Sequence, residues 1–148
     1  MMDNVATMLQ RDAFSRWLGI ELLACVPGHC TLRLRVRDDM VNGFHVAHGG
    51  IAYSLADSAM AFACNTREHV TVAVDNAMSY PAPVFVGDEL IAIAEEESAT
   101  GKLAFYRVTV RPPRGALVDD PLAASEFLKG RKRSRDRAPE PEIGRAHV

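Results

Sequence analysis

One acidic residue stands out in this sequence as a group that could do chemistry. Asp57 is the only residue with a formal charge at neutral pH between Val46 and Cys64, a stretch that is otherwise mostly small and apolar. A carboxylate in such surroundings is costly to bury unless something compensates it. Asp57 could activate a water molecule as a general base, or attack a carbonyl carbon as a nucleophile.

A pair of glycines, Gly49 and Gly50, follows His48 directly. Glycine lets a ligand come close to the backbone, and the first N–H groups of a helix have no partner within the helix. These donors and the positive end of the helix dipole suit an oxygen atom that gains negative charge. They are the parts of an oxyanion hole for attack on a carbonyl group. Asn42 and His48 are polar groups that could orient a substrate or a water molecule.

Each of these features also has an ordinary structural explanation. A glycine pair is often a tight entry to a helix, and a single histidine such as His48 is often a structural hydrogen-bonding group. Asp57 could bond to Ser54 or face solvent. Taken together, and with no Lys or Arg close to Asp57 in the sequence, the features favour a site.

The element that must position these residues is a helix that begins at the glycine pair and continues through the apolar stretch to about Cys64. Its small and apolar residues recur at helical intervals, which predicts a helix that is buried nearly all round. Gly50 and Asp57 would then lie about 10 Å apart along the helix axis. One small reacting group does not easily reach both. We therefore predict a symmetric dimer in which the two residues at each active site come from different copies of the chain.

The other predicted elements lie on both sides of this helix. A short amphipathic helix is predicted at residues 5–17, and the strand patterns fall at residues 18–26, 31–37, 71–80, 89–94 and 102–110. Strands before and after one buried helix predict an antiparallel sheet wrapped around it, an α+β fold.

The strand at residues 31–37 alternates between apolar residues and arginines. Leu32, Leu34 and Val36 are predicted to face the core, and the arginines to face outward. Such arginines could meet phosphates, but a solvated outer face is the ordinary explanation.

The 148 residues fit one domain, which we predict to span residues 1–110. This part has a net charge of −5, whereas residues 111–148 have a net charge of +3 and are rich in Pro and Arg. We predict that this tail is poorly ordered. Its basic run at residues 129–137 could touch nucleic acid, but the interspersed acids and prolines favour a solvated tail.

The sequence also bears on location. The N-terminus shows no evident signal peptide, and no segment is long and apolar enough to span a membrane. The three cysteines are odd in number and show no CxxC spacing, which favours reduced thiols. We expect a cytoplasmic protein.

Residues 42–65, NGFHVAHGGIAYSLADSAMAFACN, resemble the signature of the hotdog-fold acyl-CoA thioesterases, in their phenylacetic-acid-degradation (PaaI-type) branch. The similarity extends over about residues 12–110, and HGG followed by LADSA at this spacing is its most specific part. The resemblance implies a hotdog fold, in which a curved antiparallel sheet wraps around one long helix. It also implies homodimers that pair into a homotetramer, and hydrolysis of an aryl- or acyl-CoA thioester with no metal or organic cofactor. The expected substrate is phenylacetyl-CoA or hydroxyphenylacetyl-CoA.

The resemblance also implies a role for each candidate residue. Asp57 of the partner subunit would be the nucleophile or general base, and the backbone N–H of Gly49 or Gly50 would polarise the thioester carbonyl. Asn42 would help to place the attacking water, and His48 would assist near the carbonyl or the thiolate.

Two departures from the family pattern leave questions open. Some related thioesterases carry Ser or Thr one helical turn after the acid, where this chain has Ala61; Ser58 could substitute. The family also continues with another strand after Val110, but the usual pattern for it is missing. Two rival functions remain: a non-catalytic hotdog module that binds acyl-CoA as a sensor, and a dehydratase of hydroxyacyl thioesters. Thiol release separates the thioesterase from both.

Overall fold

The computed structural model describes residues 2–67, 69–113 and 125–132. In chain order its elements are α1 (Met2–Arg11), α2 (Ala13–Leu18), β1 (Glu21–Val26), β2 (His29–Arg35), a 3₁₀ turn (Asp38–Met40), α3 (Gly49–Cys64), β3 (Thr71–Val72), β4 (Ala77–Met78), β5 (Glu89–Thr100), β6 (Leu103–Arg111) and β7 (Ser125–Lys132). None of the described helices is long and apolar enough to cross a membrane.

The strands form one antiparallel sheet in the order β1-β2-β5-β6-β7-β3, and β4 also pairs with β7. The long helix α3 packs against this sheet, mainly on β2, β5 and β6. The predicted α+β architecture, a curved antiparallel sheet around one central helix, is confirmed.

Helix α3 is the centre of the hydrophobic core, as its composition predicts. Nine of its 16 residues are buried, and most are alanines or larger apolar residues. At its C-terminus, the side chain of Asn65 donates to the carbonyl of Ala61 and to that of Thr71, at 2.8 and 2.9 Å. The Asn65 carboxamide oxygen accepts from the N–H of Thr71 at 2.9 Å. This side chain therefore ties the end of the buried helix to the start of β3.

Strand β2 has the two faces that its alternation predicts. The side chains predicted to face the core are at most 2% exposed: Leu32 and Leu34 in the strand, and Val36 just after it. On the opposite face, Arg33 forms ion pairs with carboxylates of the neighbouring strands β1 and β5. The outer face is thus a partly solvated surface with charge pairs.

Two predicted elements are interrupted in the structure. The single helix predicted at residues 5–17 is wrong, because Asp12 ends α1 and caps α2, accepting from the N–H of Ser15 at 2.9 Å. The continuous strand predicted at residues 71–80 is also wrong. It consists of the short strands β3 and β4, and the segment between them carries Asn76 to the side chain of Asp57.

Strand β7 lies at the position where the sequence lacks the usual family pattern. It pairs with β6 in antiparallel register, with Val110 opposite Ser125 and Leu103 opposite Arg131. The sheet therefore has a further strand after Val110. The rest of the tail that we predict to be poorly ordered, residues 114–124 and 133–148, lies outside the described residues, so the domain boundary stays a prediction.

A chain of buried hydroxyl groups joins α2 to α3. The hydroxyl of Ser15 donates to Asp12 Oδ2 at 2.6 Å and lies 2.7 Å from the hydroxyl of Ser58. A serine hydroxyl has one proton, so Ser58 must be the donor to Ser15. Ser15 is fully buried and Ser58 is 7% exposed. The link holds α2 against the helix that carries Asp57, one residue before Ser58.

Removal of one hydroxyl from this chain should destabilise the protein. We expect Ser15→Ala to lower the free energy of unfolding by about 1–3 kcal/mol, since the buried Ser58 hydroxyl loses its described partner. The double variant Ser15→Ala/Ser58→Ala should lose less than the sum of the two single variants. Urea denaturation of the three variants measures this, with the exposed Ser79→Ala as the matched control. Additive losses from the two single variants would contradict the hydrogen bond between them.

Candidate active site

The entrance to α3 distinguishes between the two glycines of the predicted oxyanion hole. His48 caps the helix, and its Nδ1 accepts a hydrogen bond from the N–H of Gly50 at 2.9 Å. The N–H of Gly49 has no hydrogen-bond partner among the described residues. Because the Gly50 donor is already in use, Gly49 is the glycine whose N–H is available to a ligand.

The same hydrogen bond defines what His48 can do. When Nδ1 accepts from Gly50, the neutral imidazole carries its proton on Nε2. His48 is exposed and borders the pocket described next, so its Nε2–H is a donor that a bound ligand can reach. In this tautomer His48 is suited to donate a hydrogen bond and not to remove a proton.

A pocket of about 290 Å³ opens beside Gly49. Most of its lining is small or apolar, which suits an apolar acyl group with a few fixed polar contacts. The lining residues are Ala47, His48, Gly49, Ala52, Tyr80, Pro81, Ala82, Pro83, Val84 and Leu90.

Tyr80 is a residue of this pocket that the sequence reasoning missed. Its ring lies against Gly49: a Cβ atom built on Gly49 would be 3.4 Å from Cε1 and Cζ of Tyr80. The sequence offers little signal for this contact, since an aromatic residue at the end of a predicted strand has many possible partners. The contact gives Gly49 a local packing role in addition to its free N–H.

Asp57 lies elsewhere on α3. It is partly buried, and its Oδ1 accepts a long hydrogen bond of 3.4 Å from the side chain of Asn76. Burial raises the pKa of the Asp57 carboxyl, the Asn76 hydrogen bond lowers it, and the charge of Asp12 raises it further, with a net shift upward. A carboxylate with a raised pKa is a stronger base than an ordinary aspartate.

The structure brings only some of the predicted site residues together within one chain. His48 and Gly49 line the pocket. Gly50 does not line it and lies against the His48 ring. Asp57 and Asn42 are not among the lining residues described above. Two turns of α3 separate Asp57 from Gly49, which is the separation on which the prediction of a shared, two-chain site depends.

Asn42 shapes the loop that leads to α3. Its side-chain oxygen accepts from the N–H of Phe44 at 2.9 Å and, at 3.4 Å, from the N–H of Val46. Its side-chain N–H₂ group has no hydrogen-bond partner among the described residues. That group is the part of Asn42 that remains free to hold a water molecule.

Some related thioesterases have a Ser or Thr hydroxyl at the position of Ala61, and Ser58 is the candidate to replace it. The hydrogen bonds of Ser58 argue against that role. The Ser58 proton is donated to the Ser15 hydroxyl. Ser58 thus has a structural partner, and its proton is not available to a reacting group.

Other reactive groups are few in the described part of the chain. No group of three or more His, Cys, Asp or Glu among the described residues could hold a metal ion. Cys25, Cys30 and Cys64 are buried and form no disulfide bond among the described residues. Burial raises the pKa of the Cys64 thiol to about 12, so it remains protonated at neutral pH and serves as core packing.

Comparison with known proteins identifies the family. The profile of the thioesterase superfamily matches residues 44–118. The chain belongs to this superfamily. Among its relatives, the acyl-coenzyme A thioesterase PaaI of Escherichia coli (strain K12) is 32% identical over 107 residues, which are 72% of this chain and 76% of PaaI. Human acyl-coenzyme A thioesterase 13 is 30% identical over 107 residues, 70% of this chain and 76% of that protein.

Solved structures agree with this membership. The E. coli PaaI protein from the phenylacetic acid degradation operon superposes with a TM-score of 0.82, at 27% identity, over 90% of this chain and 93% of PaaI. The hotdog fold and the PaaI-type branch expected from residues 42–65 are therefore confirmed, and this thioesterase superfamily member is a thioester hydrolase.

The raised pKa of Asp57 predicts a pH dependence of stability. Between the ordinary aspartate pKa and the raised one, the unfolded chain loses the proton while the folded chain keeps it. The folded state then binds more protons, so the Asp57 contribution to stability falls as the pH rises through this window. We expect Asp57→Asn to gain stability relative to wild type over the same window. Urea denaturation from about pH 3.5 to about pH 7 measures the difference. A difference that does not change with pH would contradict the shift, and the exposed Asp38→Asn is the control.

Proposed function

We propose that this thioesterase hydrolyses aryl- or acyl-CoA thioesters, with phenylacetyl-CoA or hydroxyphenylacetyl-CoA as its best substrates. The observation that carries the proposal is the free N–H of Gly49 beside a small apolar pocket. At about 290 Å³, the pocket is at the small end of ligand sites, which favours a compact acyl group over a long chain. The names of the E. coli and human relatives support the CoA thioester as the substrate class.

The acyl group occupies the pocket, and its carbonyl oxygen accepts the hydrogen bond from the N–H of Gly49. This donor stabilises the negative charge that the oxygen gains when a nucleophile attacks the carbonyl carbon. The Nε2–H of His48 lies at the same pocket and can support the oxygen or the departing sulfur. The dipole of α3 favours the same charge at its N-terminus.

Asp57 of the partner subunit acts as the general base. It takes a proton from a water molecule as the water oxygen bonds to the carbonyl carbon, and the side-chain N–H₂ of Asn42 holds that water. The C–S bond then breaks, and the proton passes to the CoA thiolate, so the products are a carboxylic acid and free CoA. A carboxylate whose pKa burial has raised is well suited to this step.

The chain needs a second copy to complete this arrangement. Asp57 and Gly49 are on one helix, about two turns apart, and Asp57 does not line the pocket of its own chain. A homodimer with two-fold symmetry can place the Asp57 of each chain at the pocket of the other. Two such dimers would form the homotetramer that the family resemblance implies.

The test is release of free CoA thiol from phenylacetyl-CoA, hydroxyphenylacetyl-CoA, acetyl-CoA and a long-chain acyl-CoA. We expect the two aryl substrates to have the highest kcat/KM. A folded protein that binds these esters without releasing thiol would instead be a non-catalytic acyl-CoA sensor. Fastest release from the long-chain ester would contradict the proposed acyl group.

A further inference from the structure

Tyr80 is a polar group of the pocket to which the proposed mechanism gives no task. Tyr80 is 52% exposed, and its hydroxyl has no hydrogen-bond partner among the described residues. That hydroxyl oxygen is 3.7 Å from the position that a Cβ atom of Gly49 would occupy. The free phenol O–H and the free N–H of Gly49 therefore lie in one small region of the pocket wall.

We propose that the Tyr80 hydroxyl is a second hydrogen-bond donor to the thioester carbonyl oxygen, beside the N–H of Gly49, and is thus a catalytic residue. The inference rests on the proposed thioester hydrolysis. It assigns a role that neither the motif at residues 42–65 nor the similarity to relatives provides.

The first reason for this assignment is that the N–H of Gly50 already has a hydrogen-bond acceptor. An oxyanion is stabilised best by several donors fixed in place before the reaction. Because the N–H of Gly50 bonds to His48, the start of α3 offers one backbone donor and not two. The Tyr80 hydroxyl is an available donor close to Gly49.

The second reason is that the Tyr80 hydroxyl stays protonated and can therefore donate a hydrogen bond. Partial burial, and to a smaller extent the neighbouring Tyr53, raise the pKa of Tyr80 above its usual value of 10. Tyr80 therefore keeps its proton through the neutral and mildly alkaline pH range. The ring also lies against Gly49, so the hydroxyl is already beside the N–H donor before a ligand binds.

Two substitutions separate the hydroxyl from the ring. Tyr80→Phe removes only the donor, whereas Tyr80→Ala also removes the wall that an aryl group would touch. We expect Tyr80→Phe to lower kcat by about 10- to 100-fold for every acyl-CoA and to raise KM by up to about tenfold, because the hydrogen bond is present in the bound ester and strengthens as the oxygen gains charge. Tyr80→Ala should raise KM further for the aryl substrates. Tyr53→Phe, on the neighbouring tyrosine that does not line the pocket, is the matched control and should retain wild-type activity.

Binding of two inert substrate analogues tests the contact without catalysis. In the ketone analogue of phenylacetyl-CoA, CH₂ replaces the sulfur and the carbonyl remains; in the thioether analogue, CH₂ replaces the carbonyl. Tyr80→Phe should raise the Kd of the ketone about tenfold, the loss of one hydrogen bond, and leave that of the thioether unchanged. Equal effects on both analogues, or no effect on either, would overturn the proposal.

The two assays also separate this inference from the proposed function. If wild type binds the ketone more tightly than the thioether, loses that preference in Tyr80→Phe, and yet releases no thiol, then the Tyr80 contact holds and hydrolysis fails. If wild type hydrolyses phenylacetyl-CoA and Tyr80→Phe matches it in kcat, then hydrolysis holds and the Tyr80 assignment fails.

Discussion

Asp57→Asn should lower kcat for thiol release from phenylacetyl-CoA by at least about 100-fold, because a positioned general base contributes about 10²- to 10⁴-fold to a rate. Asparagine keeps the size and shape of the side chain, and its carboxamide oxygen can still accept the hydrogen bond from Asn76. The variant loses the group that takes the proton from water. Substrate binding should change little, so the loss should appear in kcat and not in KM.

The control for this experiment is Asp38→Asn, which removes the same charge from an exposed position with no described side-chain contact. It should retain wild-type kcat. Size-exclusion chromatography of both variants shows whether the assembly is intact. Equal activity of wild type and Asp57→Asn would show that the base is another residue.

The sequence was sufficient to predict the central helix and the sheet around it. In α3 and β2, apolar residues recur at the period of the element, so burial follows from local pattern alone. Leu32, Leu34 and Val36 are buried for this reason. The motif HGG then predicts where the helix begins, and α3 does begin at Gly49.

The missed features depend on contacts between distant residues or on one side-chain rotamer. Tyr80 meets Gly49 only because the segment after β4 lies beside the start of α3, where the N–H of Ala47 donates to the carbonyl of Val84. The difference between Gly49 and Gly50 follows from the orientation of the His48 ring, which turns back to bond Gly50. Asp12 divides the N-terminal helix because its carboxylate caps the next helix, in competition with helix continuation.

The prediction of one continuous strand at residues 71–80 was wrong for a related reason. Its β-branched residues predict a strand, but Val72 and Val74 are exposed, and the pairing is interrupted between β3 and β4. The interruption lets Asn76 reach Asp57 from a segment without regular pairing. Propensity predicts extended backbone here, but it carries no information about which partner strand is available.

Two inactive variants should restore activity to each other if Asp57 acts in the pocket of the partner subunit. Asp57→Asn lacks the base, and Gly49→Leu fills the pocket at the position where a Cβ already meets the Tyr80 ring. In a mixed dimer, one site combines both defects, and the other combines an intact Gly49 with an intact Asp57. We expect a purified mixed dimer to have about half the wild-type kcat, because one of its two sites is complete.

The mixed dimer can be isolated from cells that express both variants with different affinity tags, by purification on each tag in turn. Each variant purified alone is the control, and both should be nearly inactive. If Asp57 and Gly49 served the same pocket within one chain, every site in the mixed dimer would carry a defect, and its activity would stay at the level of the single variants. The measurement therefore decides between a site within one chain and a site between two. Recovered activity would also explain why the base lies about two helical turns from the pocket of its own chain.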